Sequence, residues 1–170
     1  MPKFKKFNKY YKKTMPQVFG FVYLRIGQNQ AITEDIVSEI FLKAIEHFDQ
    51  FDEKKGSFKS WIFKITRNHL ADHYKSPKNK TKKDLEEIAN KIKNDLDSKE
   101  IAAKELEREE ILSIINTLKE DKQELIALRY YSGYSFKEIS ELTGENENKT
   151  RVKVHRILKE LKAKLKHLRE

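Results

Sequence analysis

The sequence predicts an all-α fold: two small helical domains joined by a charged flexible linker, the C-terminal one a helix-turn-helix. Three observations carry this. Glycine and proline are scarce, 5 and 3 in 170 residues. Apolar residues recur at spacings of three and four, and strictly alternating runs are rare, so strands are not expected. Residues 76–108 contain no aromatic side chain and few large apolar ones, a composition that does not offset the entropy of ordering. The expected division is therefore 1–75, a linker at 76–108, and 109–170.

Segment one holds most of the aromatics. A first helix with Phe4, Phe7 and Tyr11 on one side runs toward Thr14, and Thr14-Met15-Pro16 predicts a restart, because proline is tolerated in a first turn. Val18, Phe21, Val22 and Leu24 continue the stripe. Thr33 is the expected cap of the next helix, with Glu34 and Asp35 in its first turn and Ile36, Ile40, Phe41, Ala44 and Phe48 inward. After Asp52–Gly56 a further helix starts near Ser57 and carries Phe58, Trp61, Ile62, Ile65 and Leu70 to about Lys75. The linker has at most some helical tendency around Leu85 to Ile92.

Segment three resumes with Ile111, Leu112, Ile114, Ile115 and Leu118. Asp121 and Glu124 have capping-box spacing, predicting a helix that carries Leu125, Ile126, Leu128 and Tyr131. Ser135-Phe136-Lys137-Glu138 is a second capping box opening a short helix with Ile139 and Leu142 inward. Gly144 supplies a left-handed C-cap, and Glu145, Asn146 and Glu147 lead to a last helix whose buried stripe is Thr150, Val154, Ile157, Leu161 and Leu165. A short helix, a glycine turn and a longer basic helix are the order of a helix-turn-helix.

Charge agrees with that order. The 36 Lys and Arg exceed the 27 Asp and Glu by nine. From 149 to 169 there are nine basic residues (149, 151, 153, 156, 159, 162, 164, 166, 169) against Glu160 alone, so the polyanion-binding charge sits here. A solvated lysine face is the bland alternative. Recognition helices read base edges with their first turns, which makes Arg151, Val152, His155 and Arg156 candidates, with Arg129 and Lys137 approaching phosphates.

No cysteine is present, which excludes a disulfide framework and a thiolate zinc site. Apolar runs are too short to span a bilayer, and the start of the chain lacks a signal-peptide core, so a soluble cytoplasmic protein without membrane insertion is expected. His69 and His73 are four apart, but Leu70 stands where the Glu of a zinc-binding HExxH would be, and no phosphate-cradling or nucleophile-elbow glycine motif occurs. No enzyme activity, metal, cofactor or small-molecule substrate is expected.

The stretch Leu128-Arg129-Tyr130-Tyr131-Ser132-Gly133-Tyr134-Ser135-Phe136-Lys137-Glu138-Ile139, followed by Lys149-Thr150-Arg151-Val152-Lys153-Val154-His155-Arg156, resembles region four of bacterial sigma factors. Ile32 to Ala44 resembles the polymerase-clamp helix of region two in the same family, and Phe58 to Asp72 resembles its promoter-melting helix. With only these two regions, the chain is similar to the small extracytoplasmic-function sigma factors. The resemblance implies a subunit that binds core RNA polymerase through its beta-prime clamp and beta flap, recognises promoter DNA and starts transcription, with an anti-sigma factor as an expected inhibitor.

Residue by residue, the resemblance places Arg129, Ser135, Phe136, Lys137, Lys149, Arg151, Val152, Lys153, His155 and Arg156 on the minus-thirty-five duplex. Phe51, Trp61, Lys64, Arg67 and Asn68 fall at the minus-ten melting surface, beside the Asp52–Ser57 loop. Glu34, Asp35, Val37, Ser38, Glu39, Phe41 and Leu42 fall on polymerase. Phe51 and Trp61 equally fit a core role, and Glu34, Asp35 and Glu39 equally fit a solvated turn. Lys119, Asn148-Lys149-Thr150 and Ile157 depart from the family's usual Pro, Gly-Thr-Val and Ala, leaving base preference open. Two rivals remain: a promoter-binding activator or repressor that never touches polymerase, and an all-helical adaptor whose basic helix meets protein or membrane.

Overall fold

A computed structural model describes residues 2–76 and 99–169, and all the regular structure among them is helical. The chain divides into two compact units, Met1–Lys83 and Asp84–Glu170.

In the first unit three helices, α1 (Pro2–Arg25), α2 (Gln30–Glu46) and α3 (Phe58–Lys75), pack against one another. Contrary to the expected restart, α1 runs straight through Pro16. An interior proline costs about 3 kcal/mol or more. Here that cost is offset by burial on both sides of it: Phe7 before, and Val18, Phe21, Val22 and Leu24 after, are all in the core. Phe4, expected on the inner side, is 61% exposed.

Gly27 and Gln28 adopt positive φ, reversing the chain into Asn29, whose side chain accepts the Ile32 amide at 2.9 Å. Asn29, not Thr33, is thus the cap of α2. Thr33 is fully buried and donates its hydroxyl to the Asn29 carbonyl at 2.6 Å. Because the helix starts earlier than expected, Glu34 and Asp35 lie beyond its first turn.

A 3₁₀ turn (Phe48–Gln50) leads to the Asp52–Ser57 loop, and α3 starts where expected, just after Ser57, whose side chain caps it by accepting the Ser60 amide at 3.1 Å. The inner face of α3 is Phe58, Ile62, Phe63, Thr66 and Leu70. Phe63 was not anticipated, and Ile65 and Trp61 are only half-buried. The Tyr74 hydroxyl donates to the Arg25 carbonyl, tying the ends of α3 and α1 together.

The second unit opens with α4 (Lys99–Asn116), ten residues before the expected start at 109. Residues 104–110 are helical yet wholly exposed: Lys, Glu, Leu and Arg are strong helix formers, so this stretch holds its conformation without a core of its own. The 77–98 part of the expected linker, with Leu85 to Ile92, lies outside the described residues.

In α5 (Glu120–Ile126) the N-cap is Lys119, which makes no side-chain cap, so the expected capping box at Asp121 is not formed. Lys119 has φ −63°, the value proline would impose. The helix then widens into a π-turn (Ala127–Tyr131), closed by the Ser132 amide on the Ala127 carbonyl at 2.9 Å, where an uninterrupted α-helix was expected.

Two further helices complete the unit, α6 (Phe136–Thr143) and α7 (Glu147–Arg169). The capping box at Ser135 is present in both directions, with Glu138 N–H to Ser135 Oγ at 3.2 Å and Ser135 N–H to Glu138 Oε2 at 2.8 Å. Gly144 is left-handed at φ 75°. The stripe of α7 buries Thr150, Val154, Ile157 and Leu161 as expected, while Leu165 and Leu142 are half-buried. α7 packs on α4, α5 and α6.

Candidate nucleic-acid interface

The buried stripe fixes which way α7 faces. At 100° per residue, Asn148, Val152, His155, Arg156 and Lys159 lie opposite Thr150, Val154 and Ile157, and all five are exposed. Val152, an apolar side chain 49% exposed, is near the middle of this face. Asn148, one turn before it, was not among the expected site residues, although the i, i+4, i+7 spacing 148–152–155 would have found it. Asn146 stands just before α7, and its Oδ1 accepts the amides of Asn148 at 2.9 Å and Lys149 at 3.3 Å.

Arg151 and Lys153 flank the outward face, and each meets an acid. Arg151 Nη2 donates to Glu147 Oε1 at 2.9 Å, and Lys153 pairs with Glu145. Ser135 and Lys137 are exposed at the start of α6, and Lys149 is exposed in the first turn of α7. Arg129 is half-buried; its Nη1 donates to the Tyr134 carbonyl at 2.9 Å and its guanidinium lies 4.7 Å from the centre of the Phe136 ring. Tyr134 is buried, and burial pushes its phenol well above the ordinary tyrosine value.

The basic run is not uniformly available. Lys164 Nζ donates to Thr117 Oγ1 at 2.9 Å, and Glu160 pairs with Lys122 at 2.6 Å and Lys164 at 3.4 Å. The hydrogen bond from Lys122 first, opposed by desolvation and then aided by the Lys122 charge and by the hydrogen bond and charge of Lys164, holds the Glu160 carboxyl below the usual range. The far half of α7 is thereby tied to its own domain, and the early turns carry the outward face.

In the first unit, Trp61, Lys64 and Asn68 share one face of α3 at i, i+3 and i+7. Lys64 and Asn68 are exposed, Arg67 half-buried. Phe51 and Trp61 come together, ring centres 5.4 Å apart, at the half-buried edge of a cluster that includes Phe48 and Phe58. Both rings pack on the cluster and keep an exposed edge. The adjoining loop is shaped by Asp52, whose Oδ1 accepts the Lys54 amide at 2.9 Å, and held to α1 by Glu53 contacts with Lys6 and Tyr10.

On α2, Glu34, Asp35, Ser38, Glu39 and Leu42 are exposed, Leu42 at 61%. Val37 and Phe41 are each 6% exposed and pack in the core, so their part is to fix the helix rather than to offer surface. His69 of α3 joins this face: its Nδ1 is 2.9 Å from Lys43 Nζ and its Nε2 3.0 Å from Glu39 Oε2. An ammonium can only donate, so Nδ1 accepts and Nε2–H donates to Glu39. Burial, chiefly, and Lys43 lower the His69 pKa against the opposing pull of Glu39, consistent with a neutral ring. Among the described residues no group of histidines and acids is arranged to hold a metal, and no helix is long and apolar enough to cross a membrane.

A three-helix unit with an aromatic edge and a basic helix-turn-helix make a two-region protein with the parts of a nucleic-acid binder, and both regions match one family. Residues 10–80 match the family Sigma-70 region 2, and residues 108–161 match Sigma-70, region 4. The chain is 26% identical over 155 residues to the ECF RNA polymerase sigma factor BldN of Streptomyces coelicolor, covering 91% of this chain and 58% of that protein. It is 25% identical over 154 residues to the ECF sigma factor SigM of Bacillus subtilis, covering 90% of this chain and 91% of that one.

The chain thus spans just over half the length of the first of these relatives and nearly all of the second. Its fold is similar to that of the sigma factor RpoE in its complex with the anti-sigma factor NepR from Bartonella quintana, with TM-score 0.66, 20% identity, and 95% and 98% of the two chains covered. It is also similar to CnrH in complex with the cytosolic domain of CnrY, with TM-score 0.69, 20% identity, and 96% and 89% covered. The chain belongs to the sigma-70 family, as an extracytoplasmic-function (ECF) sigma factor with regions 2 and 4. Sigma factors are non-catalytic subunits of RNA polymerase, concerned with promoter recognition and transcription initiation.

Proposed function

We propose that this chain binds core RNA polymerase in the cytoplasm and directs it to a specialised set of promoters, reading duplex DNA with α7 and supporting strand opening with α3. The observation that carries this over a plain DNA-binding regulator is the exposed Lys64–Asn68 face of α3 beside the half-buried Phe51–Trp61 edge. A regulator that binds only duplex has no use for aromatic and amide groups arranged to hold an unstacked base.

In this reading Arg151, Val152, His155 and Arg156 meet base edges of the minus-thirty-five element. Ser135, Lys137, Lys149 and Lys153 meet its backbone, and Arg129 and Phe136 lie behind them. Trp61, Phe51, Lys64, Arg67 and Asn68 act at the minus-ten element. Glu34, Asp35, Ser38, Glu39 and Leu42 form the surface for the beta-prime clamp, an acidic face with an apolar centre that suits a basic partner surface. The helix-turn-helix unit engages the beta flap. One solved neighbour is in complex with an anti-sigma factor, and an anti-sigma factor is proposed for this chain as well.

The test of the polymerase half is co-migration of the full chain with core RNA polymerase in size-exclusion chromatography. Leu42→Arg should weaken that association at least tenfold while leaving the circular dichroism spectrum unchanged. No association of the unmodified chain with core would end the proposal in favour of a polymerase-independent regulator.

A further inference from the structure

Phe136 is the first residue of α6 and is half-buried. Two guanidiniums from two other elements lie within cation–π range of its single ring: Arg129 of the π-turn at 4.7 Å and Arg151 of α7 at 5.3 Å. Each arginine has one further tie. Arg129 is anchored on the Tyr134 carbonyl, and Arg151 is held by Glu147 one turn earlier on α7.

The π-turn and α7 are therefore joined through a ring that belongs to neither. Arg151 needs such an arrangement: it lies on the flank of α7 nearest α6, outside the outward face set by Val152, and the exposed Glu147 pair alone would hold its long side chain only loosely. An arginine already confined before DNA arrives loses less freedom when it forms a planar two-bond contact with a base edge.

We propose that Phe136 is a positioning residue for promoter reading: its ring, braced by Arg129, holds the Arg151 guanidinium so that discrimination between base pairs depends on a side chain that does not itself touch DNA. Glu147 is the second, releasable half of the same clamp, since an ion pair on a solvated helix is weak and exchanges readily for a base or phosphate. The inference rests on the proposed duplex-reading role of α7.

The experiment reconstitutes holoenzyme from the full chain and core RNA polymerase and incubates it with a pool of duplex fragments randomised upstream of a fixed minus-ten element. The retained DNA is sequenced, and total retention is measured against salt. Arg151→Ala identifies the base positions that Arg151 reads. Phe136→Leu should then lower enrichment at those same positions by about twofold to fivefold, the size of a lost cation–π contact. The salt slope should not change, because no phosphate contact is removed.

Phe136→Tyr, which keeps the ring, should behave like the unmodified chain, and Phe136→Leu should add nothing in the Arg151→Ala background. If Phe136→Leu proves unstable, Glu147→Gln serves in its place and should affect the same positions. Losses at positions other than those of Arg151, or additive losses in the double variant, would overturn the positioning role while leaving duplex reading intact. If Arg151→Ala changes no position, the duplex-reading assignment of Arg151 falls first and the clamp with it.

Discussion

Removing the Gln123 amide should loosen the whole second unit. Gln123 is 7% exposed, and its Nε2 lies 3.1 Å from the Ile115 carbonyl, 3.3 Å from that of Asn116 and 3.1 Å from that of Leu118. Ile115 and Asn116 end α4 and Leu118 lies just beyond it; the Ile115 carbonyl also accepts the Leu118 amide at 3.0 Å, and the Gln123 side chain adds a donor where the helix ladder runs out. An amide has two N–H groups, so the three acceptors share two donors. At about 1 kcal/mol net per bond, Gln123→Ala should cost roughly 1 to 3 kcal/mol.

For a unit of this size each kcal/mol moves the melting midpoint by about 4 to 8 °C. The assay is urea denaturation of the full chain, followed through the second unit by hydrogen exchange of α4 and α5 amides so that the first unit does not mask the change. Gln123→Glu should be worse than Ala near neutral pH, because it turns a carboxylate toward carbonyls, and should recover in part as acid protonates it. A loss under about 0.5 kcal/mol for Gln123→Ala, below the range of one ordinary hydrogen bond, would refute the idea that this side chain closes the α4–α5 corner.

Three other outcomes follow from the same structure. The His69 pKa is depressed in the folded unit below the ordinary value of 6.5, so the unfolded chain binds the proton more readily, and stability of the first unit should fall as pH drops through and below that value; His69→Gln should flatten the dependence seen in thermal melts between pH 5 and 8. Ser135→Ala removes one half of a complete capping box and should cost about 0.5 to 2 kcal/mol by denaturant titration, with Ser135→Asp retaining most of the stability. Asn68→Ala should leave binding to core polymerase and to duplex DNA intact yet lower strand opening reported by a fluorescent base analogue; unchanged opening would remove Asn68 from the melting surface.

What could be read from the sequence was what depends on near neighbours. The Ser135–Glu138 box, the left-handed Gly144, the helix start near Ser57 and the Thr150–Leu161 stripe are each set within a turn or two of chain, and each stands where the pattern put it. Pro16 was misread because a local rule was overridden by burial on both sides of it. Thr33 looked like a cap because Asn29, four residues earlier, becomes one only once Gly27 and Gln28 have turned the chain.

The site shows the same division. The outward placement of Val152, His155 and Arg156 follows from helical phase, and so would that of Asn148 had the phase been applied one turn earlier. The Gln123 lock and the Phe136 ring shared by Arg129 and Arg151 were not legible, since they join elements whose relation no periodicity encodes. Val37 and Phe41 were placed on the polymerase surface by motif position, but the helix turns them into the core and leaves Leu42 outside.

The central claim is that one chain carries both a polymerase-binding, strand-opening unit and a promoter-reading unit. It is tested most directly by run-off transcription: purified chain added to core RNA polymerase with promoter fragments from its own genome. The account predicts transcripts of defined start that core alone does not make, lowered by Arg151→Ala, and lowered by Asn68→Ala on duplex promoters but restored to that variant when the minus-ten region is supplied already open. Specific duplex binding by the chain with no gain of initiation by core polymerase would contradict it.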